Sequence, residues 1–141
     1  MKNALLVSAF PGCGKTWLFT HSDRVVLDSD SSTFDKKAFP GNYISHIKSH
    51  SAQADVILIS THAEVRDALV ENGMAFTLVY PCKDDKQEYL RRYMDRGSDQ
   101  AFVCLLDSNW DEWISELEKQ EQCQHLVLDP GQFLSQALGL T

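Results

Sequence analysis

Residues 9–16 read Ala9-Phe10-Pro11-Gly12-Cys13-Gly14-Lys15-Thr16. Set against G-x-x-x-x-G-K-[ST], the Gly-Lys-Thr end is intact, and only the first glycine is replaced, by Ala9. The residue types follow from the chemistry of holding an anion. Gly12 and Gly14 let backbone N–H groups turn inward around phosphate oxygens with no Cβ in the way. A helix starting near Lys15 points the positive end of its dipole at the same anion. Lys15 then reaches β- and γ-phosphates, and the Thr16 hydroxyl ligates Mg²⁺. Pro11, Gly12, Cys13 and Gly14 are expected to meet the nucleotide through their backbone. A tight glycine turn that binds nothing is the plainer alternative, and the strand–turn–helix setting weighs against it.

The chain around this loop repeats one pattern, a short apolar run followed by a helical one. Ala4-Leu5-Leu6-Val7 precedes the loop, and Val25-Val26-Leu27 leads into the polar string Asp28-Ser29-Asp30-Ser31-Ser32. Val56-Ile57-Leu58-Ile59, Ala75 to Tyr80, and Leu126-Val127-Leu128 are the remaining strand-type runs. Between them, Asn42 is placed to cap a helix with Tyr43, Ile44 and Ile47 on one face. Further helices are expected over Ala63 to Glu71 and Asp84 to Arg96. Ser108-Asn109-Trp110-Asp111 has the form of a capping box opening another, with Trp110, Trp113, Ile114 and Leu117 on its inner face. A terminal helix follows Asp129-Pro130-Gly131. Five buried-type strands alternating with helices indicate an α/β fold, a mostly parallel sheet covered on both faces. Ligands of such sheets bind at the carboxyl ends of the strands.

The length of 141 residues fits one domain. Apolar residues make up 43% of the chain and charged residues 23%, the balance of a globular protein and not of a disordered one. Thirteen Lys+Arg against 20 Asp+Glu gives 13 − 20 = −7, which disfavours nucleic acid or an anionic membrane as main partner. The four cysteines form no C-x-x-C pair, which suits a reducing compartment. No apolar stretch approaches the ~18 residues of a spanning helix, and Pro11-Gly12 and Lys15 interrupt the N-terminal run too early for a signal peptide. The expectation is a cytoplasmic protein.

The loop resembles the G-x-P-G-x-G-K-[ST] version used by nucleotide kinases and by the related shikimate, gluconate and polynucleotide kinases. That resemblance implies a three-layer P-loop NTPase fold with strand order 2-3-1-4-5, ATP and Mg²⁺ as cofactors, and phosphoryl transfer to a small acceptor. Those kinases carry acids after the second strand, where Asp28-Ser29-Asp30 stands here. By resemblance Asp28 lies near the metal and Asp30 accepts the proton of the attacking hydroxyl. Two carboxylates at a strand end can divide metal and base work, though Asp and Ser also favour a solvated turn or a helix cap.

The third strand lacks a Walker B acid, since Ile59 is followed by Ser60-Thr61-His62. This argues against motor ATPases and GTPases. Ser60-Thr61-His62-Ala63-Glu64-Val65-Arg66-Asp67 is similar to the strand-to-helix passage of gluconate-type kinases, which makes Arg66 an acceptor-side candidate, or else the partner of a surface acid. Ser60 and His62 have positional support only.

The helix after strand four carries Arg91, Arg92 and Arg96, resembling the helix that leads into a nucleotide-kinase lid. Charge developing on phosphoryl oxygens needs cations brought in after substrate binds, so Arg92 and Arg96 are catalytic candidates in a short lid, about 91–101. An acceptor-binding region is expected over about 29–54. Asp129 and Gly131 stand where such kinases hold adenine with backbone groups. His46 and His50 have helical metal spacing but read as a polar face. Cys13 admits a redox role, with a small spacer as the plainer reading.

By its shortness the chain is similar to compact bacteriophage nucleotide kinases, which favours a nucleoside or (deoxy)nucleotide acceptor. A nucleic-acid end or hydroxymethylated base, and a regulatory module that hydrolyses slowly without an acceptor, are the alternatives.

Overall fold

The computed structural model describes residues 4–14, 18, 25–28, 41–59 and 61–138. Strands β1 (Leu5–Ala9), β2 (Val26–Asp28), β3 (Val56–Ile59), β4 (Thr77–Pro81) and β5 (Gln124–Leu128) form one sheet in the order β2-β3-β1-β4-β5. Every pairing is parallel. β1 is therefore central, with Ser8 opposite Ile59 on one side and Leu78 on the other. All four residues of β3 are buried, which is why the run is apolar without alternation.

Helices α1 (Gly41–His50), α2 (Ala63–Glu71), α3 (Lys86–Asp95), α4 (Gln100–Glu118) and α5 (Leu134–Leu138) connect or follow the strands. In α1 the expected face of Tyr43, Ile44 and Ile47 is buried, but the helix already includes Gly41, so Asn42 lies within its first turn rather than ahead of it, with Oδ1 accepting from the Tyr43 N–H at 2.8 Å. α2 has the expected bounds, and its chain reverses through Gly73 at φ +66°.

The expected capping box at Ser108 is corrected. The cap of α4 lies nine residues earlier, at Asp99, whose side chain accepts from the Ala101 N–H at 3.5 Å. Phe102, Leu106, Trp110, Ile114 and Leu117 recur at helical spacing, so the apolar segment before Ser108 continues the same buried stripe. Ser108 and Asp111 are exposed in mid-helix.

The core on the α3–α4 side is aromatic. Trp110 is fully buried, meets Phe10 edge-on at 5.4 Å and Tyr89 at 5.6 Å, and donates from Nε1 to the Lys83 carbonyl at 2.9 Å. Tyr93 packs edge-on against Phe102 at 5.3 Å. This cluster seats α3 and α4 against the residues that follow β1. Among the described residues, no helix is long and apolar enough to cross a membrane.

Candidate functional site

The turn after β1 carries the geometry expected of an anion cradle. Gly12 stands at φ +88° and Gly14 at φ +98°, a region L side chains rarely enter. The Phe10 N–H stays in the sheet, donating to the Val79 carbonyl at 2.9 Å, and the Cys13 N–H closes back on the Phe10 carbonyl at 3.3 Å. Among the described residues, the N–H groups of Gly12 and Gly14 donate to no partner. The Leu18 N–H bonds the Gly14 carbonyl at 3.1 Å, the i to i−4 spacing of a helical bond. Two glycine amides without a partner among the described residues, at the carboxyl end of a central strand, fit a phosphate group.

Helix α3 forms one wall of the loop. The Tyr93 hydroxyl donates to the Pro11 carbonyl at 2.7 Å. A Cβ on Gly12 would stand 2.7 Å from Tyr93 Cε1 and 3.1 Å from Tyr89 Cδ2, so this glycine also permits close packing. Burial pushes both phenols well above the usual tyrosine range, with the Cys13 sulfur adding to the effect. Both are held in the neutral form, and that of Tyr93 is the donor to Pro11. Cys13 is itself fully buried, its Sγ 3.8 Å from the Tyr89 hydroxyl.

The segment after β5 forms the opposite wall. The Leu134 N–H donates to the Cys13 carbonyl at 2.7 Å, and Phe133 covers Gly14, where a Cβ would meet Phe133 Cδ1 at 3.2 Å. The turn holding Asp129 and Gly131 is closed by the Gln132 N–H on the Asp129 carbonyl at 2.9 Å, with Gly131 at φ +77°.

Arg92 joins both walls to the loop. Its Nη1 donates to the Gly12 carbonyl at 2.8 Å, and its Nη2 to Glu88 at 3.0 Å and to the Gln132 carbonyl at 3.3 Å. The guanidinium lies 4.3 Å from the Tyr89 ring centre and 4.1 Å from that of Phe133. Arg96, one turn on, bonds Ser98 through Nε at 3.0 Å and lies over the Tyr93 ring at 5.1 Å.

Arg66 is brought close to the loop by a different route. It is buried near the start of α2, donating from Nε to the Thr61 carbonyl at 2.9 Å and from Nη1 to Gln120 at 2.7 Å. A cavity of about 350 Å³ opens between Arg66, His62, the Phe10-Pro11 turn and α4.

Lys15, Thr16, Asp30 and Ser60 lie outside the described residues, and Asp28 is described in its backbone alone, as the last residue of β2 paired to Leu58. His46 and His50 sit 4.3 Å apart by ring centres on α1, with His50 Nδ1 2.8 Å from the His46 carbonyl. Tyr89, Tyr93 and Phe133 were not anticipated as neighbours of the loop. Tyr89 and Tyr93 recur at i, i+4 beside Arg92, a signal of one buried helix face that does not say what the face covers.

Comparisons with known protein families, with curated proteins and with solved structures gave no match.

Proposed function

We propose that this chain is an ATP-dependent phosphotransferase of the P-loop kinase type, moving the γ-phosphoryl group to a small hydroxyl-bearing acceptor, a nucleoside or (deoxy)nucleotide being favoured. One observation carries the reading: paired glycines at positive φ, whose N–H groups have no partner among the described residues, stand at the end of a central parallel strand and precede Lys15-Thr16 in sequence. The strand order supports it, since the loop lies beside the point where the connections change direction, from β1 out to β2 and from β3 across to β4.

In this reading the Gly12 and Gly14 amides and Lys15 hold the ATP phosphates, while Thr16 and Asp28 hold Mg²⁺. Bound Mg²⁺ neutralises charge on the phosphate oxygens. The acceptor oxygen attacks the γ-phosphorus, the bond to the β–γ bridging oxygen breaks, ADP leaves, and the hydroxyl proton passes to Asp30. Arg92 and Arg96 are the lid cations of this reading; the donors of Arg92 are engaged on the loop and its walls, which leaves Arg96 the candidate to approach the transferring group. Arg66 belongs to the acceptor side.

The test is ATP turnover with Mg²⁺ against nucleosides, nucleoside monophosphates, sugar acids and a short hydroxymethyl-containing DNA. Strong stimulation by one member, abolished in Asp30→Asn, is expected. Unchanged transfer in Asp30→Asn removes Asp30 from the mechanism. The engagement of Arg92 favours one second reading, a nucleotide-binding module that hydrolyses slowly. Tight ATP binding with hydrolysis indifferent to every acceptor supports that module instead.

A further inference from the structure

We infer that the cavity between the Phe10-Pro11 turn, the start of α2 and the inner face of α4 binds a small molecule made of a planar apolar body and one anionic group, a carboxylate or a phosphate. As the acceptor half of the phosphotransferase reading, it rests on that reading for its role, though not for its chemistry. The volume of about 350 Å³ lies within the ~300–1,000 Å³ typical of small-ligand sites. Phe102, Leu105, Trp113 and Leu117 supply an apolar wall, and Arg66 and His62 stand at the polar end.

The anion is demanded by Arg66. Its exposure is 5%, and the partners it has are neutral, the Thr61 carbonyl and the Gln120 amide oxygen. Nη2 donates to nothing among the described residues, and no carboxylate there forms a salt bridge with it. Glu116 shares the lining but is exposed and stands unpaired with Arg66. A buried charge without a counter-ion is costly, and an anionic ligand entering this cavity removes that cost. The planar body follows from Phe102 and Trp113, two aromatic rings that α4 presents along the same cavity wall and that offer flat apolar surface. Phe10 and Pro11, which lead into the glycine turn, line the same cavity as Arg66.

The experiment titrates the full chain, without ATP, with benzoate, phenyl phosphate and neutral benzyl alcohol, following the Trp113 indole N–H resonance. An anionic probe is expected to bind about tenfold or more tightly than benzyl alcohol, the advantage of a charged hydrogen-bond pair. The tighter of the two anions names the group. Arg66→Gln should erase the advantage. Because Arg66 is buried, Leu105→Glu and Leu105→Lys provide the second measure: Leu105 is 51% exposed on the cavity wall, so its replacement leaves the core alone. Glu should weaken and Lys strengthen binding of the anion, with benzyl alcohol little changed. Equal binding of charged and neutral probes, an unmoved Trp113 resonance, or indifference to both Leu105 variants overturns the inference. ATP binding to the wild-type chain is measured separately, so loss of the kinase reading and loss of this site give different results.

Discussion

The Arg92 guanidinium donates to the Gly12 carbonyl oxygen at 2.8 Å, linking residues 80 apart in the chain. Gly12 is one of the two positive-φ glycines of the turn after β1, and this bond fixes the peptide that follows it. Stacked between Tyr89 and Phe133, Arg92 acts as a brace from α3 and the β5–α5 segment onto the loop.

Replacing Arg92 with Lys tests the brace. Lysine keeps the charge but cannot span Gly12, Glu88 and the Gln132 carbonyl in one plane. Loss of the bonds should cost about 1–2 kcal/mol in a urea titration and weaken ATP binding by roughly tenfold. Unchanged values in both measurements would show that the loop holds its shape unaided.

Two glycines with similar backbone should respond differently to alanine. At Gly12 the strain of positive φ is joined by a Cβ 2.7 Å from Tyr93 Cε1, whereas the Cβ of an alanine at Gly131, φ +77°, meets nothing within 4 Å. Gly131→Ala should cost about 1 kcal/mol, and Gly12→Ala about 3 kcal/mol or more with loss of nucleotide binding. Equal melting temperatures for the two variants would contradict the packing described here.

Tyr93→Phe removes the donor to the Pro11 carbonyl and should cost about 1–2 kcal/mol at neutral pH. Burial raises the Tyr89 and Tyr93 hydroxyls, so the folded state holds their protons more tightly than the unfolded chain. The stabilisation they bring is present in full below the ordinary tyrosine value and is lost as pH rises above it. Tyr93→Phe should therefore flatten the decline in melting temperature above about pH 10. A decline as steep as in the wild type rejects this.

Asp85 is raised too, by burial first and then by Glu88 and Asp84, and its Oδ2 is buried without a hydrogen-bond partner. A raised carboxyl is better tolerated protonated, so the folded state loses stability as pH rises through the raised value. Asp85→Asn should stabilise the protein by about 1 kcal/mol at pH 7, the low end of the cost of an unpartnered buried group. The gain should vanish below the ordinary aspartate value. A destabilised variant at pH 7 would mean that the charge serves the start of α3.

Much of the architecture is legible in the residues. Val56–Ile59 reads as a strand buried on both faces because a central parallel strand meets apolar neighbours above and below. Ala63–Glu71 and its stop at Asn72-Gly73 are legible because breakers act locally. The start of α4 is not, since Ser108 and Asp111 satisfy a local capping rule that the longer stripe from Phe102 to Leu117 overrides. A cap contributes about 1 kcal/mol, while burying Leu106, Trp110 and Ile114 together contributes several times that.

By itself the sequence determined the loop, because backbone at positive φ favours glycine, and it determined the rhythm of strands and helices that places this loop at a strand end. Only the tertiary structure decided what stands around it. Arg92 and Arg96 look alike one turn apart on a charged helix, yet one is held on the Gly12 carbonyl and the other leans over Tyr93 toward Ser98. Arg66 reads equally as an acceptor-side group or as the partner of a surface acid until Gln120, 54 positions away, and the wall of α4 bury it. Backbone conformation is dictated by each residue and its neighbours, whereas the partners of a long charged side chain are set by segments the fold brings to it.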